Sequence, residues 1–440
     1  MPVWCSLACI AVLGLLSGSS GLISALQNPE KLFTRPVRRD VKAIPQNQLN
    51  ISALNTALAF EPYQDLTARS AVGQQDNVLF SPLGLASALA LLCRASDPES
   101  RRRALQVLGV EDRTSQKSFE ATLSALADLQ HNLTLREGGG EGVYQKMQSE
   151  AVVEAAIGSN GSGADAGNDS DVNDGAEGRS QLLVRSNLHV DGKPSVDFEG
   201  FLSQLQHPEQ PELNTSFETL MTDLQDSDKL NLNSFVYFKG LQPFERRHTV
   251  LRSFQLNATT SVEVDMMFLD DSSEVMMLYD TNCSATVVRL AFTERLSSLL
   301  LLPKGGIQPL EDCLSDNRMR FWLSNLKPGR AEIRFPKFQL RKSYNLESIL
   351  RKAGISSLSL HAGNVSWTQE MRKLKLHEAL HEVMLEVEES GSREMAKMDV
   401  PLDFSVPQRI TFDRPFILII YDHLTGLVLL ISRITDPTDV

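Results

Sequence analysis

The hydrophobic and polar positions toward the C-terminus resolve into three pieces. Val383, Leu385 and Val387 alternate with Glu382, Met384, Glu386 and Glu388, the two-residue period of a strand that buries one face. From Gly391 to Gln408 the chain turns polar and includes Pro401. Two solid apolar runs follow, Phe416 to Tyr421 and Leu427 to Ile431, around Asp422, His423, Leu424, Thr425 and Gly426. That arrangement predicts a buried hairpin. The order is therefore a long strand, an exposed loop and a buried hairpin, and a loop of roughly twenty residues is more often functional or disordered than incidental.

Upstream, the pattern gives one clear helix and one clear interruption. Asp76-Asn-Val-Leu-Phe-Ser-Pro-Leu-Gly-Leu-Ala-Ser-Ala-Leu-Ala-Leu-Leu92 places Ser81 as a cap, Pro82 in the first turn and an almost wholly apolar helix behind them. Residues 26–75 read as a polar tail with Pro29, Pro36, Pro45 and Pro62, and with some helical character from Leu49 to Leu66. The next helix, Glu99 to Leu108, carries Arg101, Arg102 and Arg103, a triplet that suits either a heparin-like glycan or a plain solvated face. From Glu137 to Ser180 the composition shifts to Gly, Ser, Asp, Asn and Glu, with almost no large apolar residue after Val153. Such a stretch cannot bury enough surface to offset its ordering entropy, so a disordered insertion is expected there.

Composition narrows the class. The 440 residues suit one large domain or two medium ones, and 42% hydrophobic with 22% charged residues is ordinary for a globular chain. A net charge of −12 argues against a nucleic-acid partner. Residues 1–25 hold a short apolar core from Leu7 to Leu16, followed by small residues through Ala25. This reads as a cleaved secretory signal, although no early Lys or Arg precedes the core. No later segment is apolar for long enough to span a bilayer. Asn-x-Ser/Thr sequons begin at Asn50, Asn132, Asn160, Asn168, Asn214, Asn257, Asn282 and Asn364, and beside a signal they predict a secreted extracellular glycoprotein. Cys5 and Cys9 leave with the signal, so Cys93, Cys283 and Cys313 remain. Cys93 lies in an apolar run and reads as a buried thiol, which leaves Cys283 and Cys313 as a candidate pair.

Several runs resemble the serpin family. They are the helix entry at Asp76–Leu92, the stretch Lys229-Leu-Asn-Leu-Asn-Ser-Phe-Val-Tyr-Phe-Lys-Gly-Leu-Gln-Pro-Phe-Glu245, Phe254 to Met267, Phe335 to Ile355, His381 to Gly391, Arg414-Pro-Phe416 and Asp436-Pro437. The resemblance covers 76–440 and implies an α+β domain with three β-sheets, about eight to nine helices and an exposed reactive-centre-like loop. In that family the loop is bait for a serine protease, and after cleavage it inserts as an extra strand into the main sheet. His381 falls where the family keeps a histidine that hydrogen-bonds beneath the sheet opening. The family's helix F, with an Ile-Asn-x-Trp pattern, has no match in residues 201–228, so its presence is in question. No cofactor is implied, and a monomer without a membrane partner is expected.

Within the family, Val287 to Pro303, with Phe292-Thr-Glu294, resembles a non-inhibitory, blood-pressure-regulating branch whose N-terminal decapeptide renin releases as a hormone. The hormone pattern Arg-Val-Tyr-x-His-Pro-Phe is not found, for no Tyr precedes Tyr63 and no His precedes His131. The loop itself argues against inhibition. An inserted strand alternates between a buried and an exposed face, and Gly391-Ser392-Arg393-Glu394-Met395-Ala396-Lys397 would bury Glu394 in one phase and Arg393 with Lys397 in the other. An unpaired buried charge is costly, and Pro401 removes a donor from a central strand. The expectation is a non-inhibitory relative of the renin-substrate branch. The first alternative is an inhibitor with its bait bond near Phe404 and Ser405, which suits a chymotrypsin-like protease. The second is a carrier of a small ligand or hormone.

Enzyme chemistry finds little support. His377-Glu-Ala-Leu-His381 is a literal His-Glu-x-x-His zinc pattern. On a strand, though, residues four apart lie roughly 13 Å from one another, too far to share an ion, so no metal is expected. No Gly-x-Ser-x-Gly elbow or Gly-rich phosphate loop occurs, and no enzyme is expected.

Overall fold

The computed structural model describes residues 58–68, 76–95, 99, 101–102, 180–190, 196–197, 229–242, 244–270, 274–293, 295–347, 350, 358–360, 372–389 and 407–439. The expected signal at 1–25, all of the expected tail at 26–75 but 58–68, the expected insertion at 137–180 except Ser180, residues 201–228 and residues 390–406 lie outside these. The helices are α1 (58–68), α2 (Pro82–Ala95), α3 (Gln308–Cys313) and α4 (Asp316–Asn325). The strands are β1 (Val78–Phe80), β2 (Gln181–Val190), β3 (Val196–Asp197), β4 (Lys229–Gln242), β5 (Val250–Gln255), β6 (Ser261–Leu269), β7 (Glu274–Asp280) and β8 (Ala285–Ala291). They continue with β9 (Leu296–Pro303), β10 (Lys327–Pro336), β11 (Phe338–Asn345), β12 (Leu358–Leu360), β13 (Arg372–Glu389), β14 (Gln408–Thr411), β15 (Phe416–Asp422) and β16 (Val428–Ile434).

The main sheet, which holds the longest strands, runs β11-β13-β4-β2-β3, with β12 on the lower end of β13. The other strands form one connected path, β1-β16-β15-β9-β8-β7-β10-β6-β5. Two sheets share β10 in this path: Lys327–Arg330 pair with β7, whereas Ile333–Pro336 pair with β6 and Ala331–Arg334 also pair with β14. The expected three sheets are therefore present, two of them joined through one strand.

Side-chain parity explains the layers. Along β13, Val383, Leu385 and Val387 are buried toward the core, as are Val236 and Phe238 on β4 and Leu182 and Val184 on β2. On the opposite face Leu183, Phe235, Tyr237 and Met384 make a separate buried cluster. The β15–β16 hairpin is buried along both strands, as its unbroken apolar runs predict. Helix α2 is buried on every side and begins where Ser81 Oγ accepts from Gly84 N–H at 3.0 Å.

The helix at 58–68 modifies the view of 26–75 as a polar tail. Ala59, Phe60, Tyr63 and Leu66 belong to the main core. Tyr63 donates to Glu311 Oε1 at 2.8 Å, and Arg433 Nη1 lies 3.3 Å from both oxygens of that carboxylate. Three side chains distant in sequence thus close one buried cluster. Periodicity cannot show it, because the partners come from separate elements.

Candidate functional site

The main sheet is antiparallel at β11–β13, β4–β2 and β2–β3, but β13 and β4 lie parallel from Lys375↔Lys229 to Glu389↔Gln242. The segment 390–406 leaves β13 at the upper end of this joint and returns at β14. A chain that reversed after Glu389 and entered between the two strands would run antiparallel to both. One parallel joint would then become two antiparallel ones, the slightly more stable pairing per residue.

Beneath the joint, packing is close and polar pairing incomplete. His381 is fully buried, and its Nε2 accepts from Ser81 N–H at 3.2 Å. Burial pushes the imidazole pKa down to about 3, so the ring is neutral, as an acceptor nitrogen requires. A Cβ added at Gly84 would come 2.7 Å from Val236 Cγ2, 2.8 Å from His381 Cε1 and 2.9 Å from Ser234 Oγ. His381 Nδ1, Ser234 Oγ, Asn231 Oδ1 and Ser186 Oγ are buried with no hydrogen-bond partner among the described residues.

Charges dominate the upper end. Lys239 Nζ lies 3.6 Å from Glu386 and 3.1 Å from Glu388, and Lys337 Nζ lies 3.7 Å from Glu388 and 3.2 Å from Glu389. Thr249 Oγ1 donates to Glu389 Oε1 at 2.8 Å. Burial raises the pKa of Glu389, but hydrogen bonds from its backbone, Thr249 and Lys337 outweigh that and hold it below the usual carboxylate range. The last residue of β13 is thereby pinned just before the chain departs.

The residues singled out from sequence fall into separate groups. His381 is at the joint. The hinge Gly391, Ser392, Arg393, Glu394, Met395, Ala396 and Lys397 and the bait pair Phe404 and Ser405 lie outside the described residues, as do Arg103 and the sequons at Asn50, Asn132, Asn160, Asn168, Asn214 and Asn364. Asn257 and Asn282 are exposed in turns. Cys283 and Cys313 form a disulfide with Cα atoms 5.8 Å apart, and Cys93 is a buried free thiol whose pKa burial raises to about 12. In the basic triplet, Arg101 Nε donates to Cys93 O at 3.0 Å and Arg102 pairs with Glu99 at 2.8 Å. His377 and Glu378 are exposed whereas His381 is buried, so the two imidazoles of the zinc pattern do not face one site.

Sequence reasoning missed Gly84 and Ser234 as parts of the joint. The signal was a glycine inside an otherwise bulky apolar helix, and a serine interrupting the run of β4 beside Phe235 and Val236.

Comparison with known proteins agrees with this architecture. The family model described as Serpin (serine protease inhibitor) matches residues 53–149 and 209–437, leaving a gap that takes in most of the Gly-, Ser- and Asp-rich stretch. Among curated relatives, serine proteinase inhibitor 2.4 of Apodemus sylvaticus is 25% identical, with 98% of this chain and 96% of its own length covered. Alpha-1-antiproteinase 2 of Equus caballus is 26% identical, with 99% and 98% covered. Human thyroxine-binding globulin superposes with a TM-score of 0.62 at 20% identity, over 89% of this chain and all of the other. Uncleaved ovalbumin does so at 0.62 and 18%, over 88% of this chain and all of the other. With the matched family model and the parallel joint in agreement, the chain belongs to the serpin family.

Proposed function

We propose that this serpin inhibits serine proteases, with the loop at 391–408 as bait and the Phe404–Ser405 bond as the cleaved position for a chymotrypsin-like enzyme. The observation that carries this is the parallel β13–β4 joint, which ends where the loop departs. The relatives named as proteinase inhibitors favour the same reading.

The hinge sets how well it works. In an inserting strand Ser392, Glu394 and Ala396 share one face, while Arg393, Met395 and Lys397 share the other. The small residues suit the core side, beside neighbours such as Leu385 and Val387. Arg393 and Lys397 then project on the side of Glu386 and Glu388, carboxylates that already pair with Lys239. Glu394 is left as the main obstacle in the hinge, a carboxylate entering an apolar layer at a cost of several kcal/mol after relaxation, and Pro401 further on also removes a ladder donor.

A second reading draws on that same obstacle. If insertion is too slow to trap an enzyme, the protein is a substrate-type serpin such as angiotensinogen, the renin substrate of blood-pressure control and vasoconstriction. The run Phe292-Thr-Glu294 with the leucines after it is the observation that favours it.

Incubation with chymotrypsin, cathepsin G and trypsin, followed by denaturing electrophoresis, separates the two. Inhibition predicts a covalent high-mass adduct beside a cleaved fraction, and Glu394→Ala shifts the balance toward adduct. Cleavage without any adduct from either form would overturn inhibition and leave the substrate reading.

A further inference from the structure

The Asn282-Cys283-Ser284 sequon shares its middle residue with the disulfide to Cys313. We propose that Asn282 accepts its N-glycan only before Cys283 is oxidised, so that closure of the Cys283–Cys313 bond sets how much of the protein carries sugar at that position. The proposal rests on the reading of the chain as a secreted glycoprotein.

The folded turn explains why. It joins β7 to β8, which last pair at Asp280↔Ala285, so the sequon lies in a four-residue connection. Asp280 is buried, and its Oδ1 accepts from Asn282 N–H at 3.0 Å and Cys283 N–H at 3.4 Å. Its Oδ2 accepts from Trp322 Nε1–H at 2.7 Å and lies 3.4 Å from Arg318 Nη1. The turn is thereby fastened to α4. Ser284 sits at φ 47°, a left-handed conformation unusual for a residue with a Cβ, and its carbonyl accepts from Lys304 N–H at 2.8 Å. Cys283 is buried and tied to Cys313, whereas Asn282 and Ser284 are exposed. Exposure therefore does not limit the acceptor; the backbone is held at all three positions. A transferase must bend the acceptor into its own reactive geometry, and this one cannot follow once the crosslink is made.

Asn257 supplies the comparison. It is also exposed in a turn, between β5 and β6, and its Oδ1 accepts from Thr259 N–H at 2.9 Å, Thr259 Oγ1 at 3.0 Å and Thr260 N–H at 3.0 Å. Those bonds are local and no covalent tie crosses the sequon.

Two reactions compete at Asn282. In one, Asn282 Nδ2 bonds to the anomeric carbon of a lipid-linked oligosaccharide diphosphate. The carbon–oxygen bond to the diphosphate breaks, the lipid diphosphate leaves with that electron pair, and the amide proton passes to a base of the transferase. In the other, the two thiols give two electrons and two protons to a disulfide-bearing oxidoreductase, which becomes a dithiol. Cys313 follows Cys283 by 30 residues, an interval of about 2–6 s at ordinary synthesis rates. The window is short, so partial occupancy is expected at Asn282.

The test uses the full chain expressed in secretory eukaryotic cells, with site occupancy at Asn282 and Asn257 mapped by mass spectrometry on cell-associated and secreted material. Cys313→Ser, which leaves the sequon intact, raises Asn282 occupancy from partial toward that of Asn257, and Asn257 does not change. Because transfer acts on the entering chain, the cell-associated pool reports it even if the variant folds poorly. A brief exposure of wild-type cells to thiol reductant gives the same rise without a mutation. The proposal is overturned if Asn257 is glycosylated while Asn282 is unmoved by either treatment, or if Asn282 already matches Asn257 in the wild type. Absence of sugar from both positions would instead overturn the secretory reading, and the proposal with it.

Discussion

Burial alone decides the charge of His381. Its folded pKa of about 3 lies below the ordinary histidine value of about 6.5, so between these values the unfolded chain takes up a proton that the folded one refuses. Stability is therefore full above about pH 6.5 and is lost as pH falls, by up to about 1.4 kcal/mol per pH unit for this group. Unfolding free energies from denaturant melts at pH 7.5 and 5.5 are expected to differ more in the wild type than in His381→Gln, by about 1 kcal/mol. Equal pH dependence in the two proteins would remove His381 as the cause. The burial of this side chain was legible in the sequence, since it shares the phase of Val383, Leu385 and Val387. His377 has that same phase yet is exposed, because the register shifts between Leu376 and Glu378. Such an irregularity depends on how β13 meets β4 and leaves no mark in either strand's own pattern.

Among the elements, α1 shows how a polar-looking segment becomes structural. Its Tyr63 hydroxyl points inward, is buried and donates to Glu311, whose pKa burial raises while Arg433 and the Tyr63 bond lower it. Removing the hydroxyl leaves a buried carboxylate with one partner fewer. Tyr63→Phe is expected to cost about 1–3 kcal/mol, read as a lower urea midpoint with an unchanged slope. A shift within about 0.5 kcal/mol would mean that Arg433 alone satisfies the carboxylate. Proline residues and low apolar density made the region look like a tail, whereas α1 needs only Ala59, Phe60, Tyr63 and Leu66 to dock. Helix α2 and the β15–β16 hairpin were plain in the sequence, because both are apolar on all sides and no choice of face was needed.

The whole molecule is joined where β10 passes from the other sheets toward β11 and the main sheet. Phe335 is fully buried there, with ring centroids 5.2 Å from Phe412, 5.2 Å from Phe416, 6.1 Å from Phe338 and 6.5 Å from Phe244. Truncation would open a cavity that elements from different sheets cannot all collapse to fill. Phe335→Ala is expected to lose about 3–5 kcal/mol, and Phe335→Leu clearly less, by thermal or denaturant melting. Similar small losses for both would mean that the sheets are held together elsewhere.

By itself the sequence determined the alternating strand β13, the capped apolar helix, the buried hairpin and the polar loop between strand and hairpin. It also supplied the charges that bear on whether that loop can insert. These follow from periodicity and composition, which are local properties of the chain. Only the tertiary structure decided that β13 lies parallel to β4, that Gly84 and Ser234 crowd His381 beneath their joint, and that Cys283 reaches Cys313 across the sequon at Asn282. Each of these depends on which distant segments become neighbours, and that is settled by the packing of whole faces against one another rather than by the order of residues within any one of them.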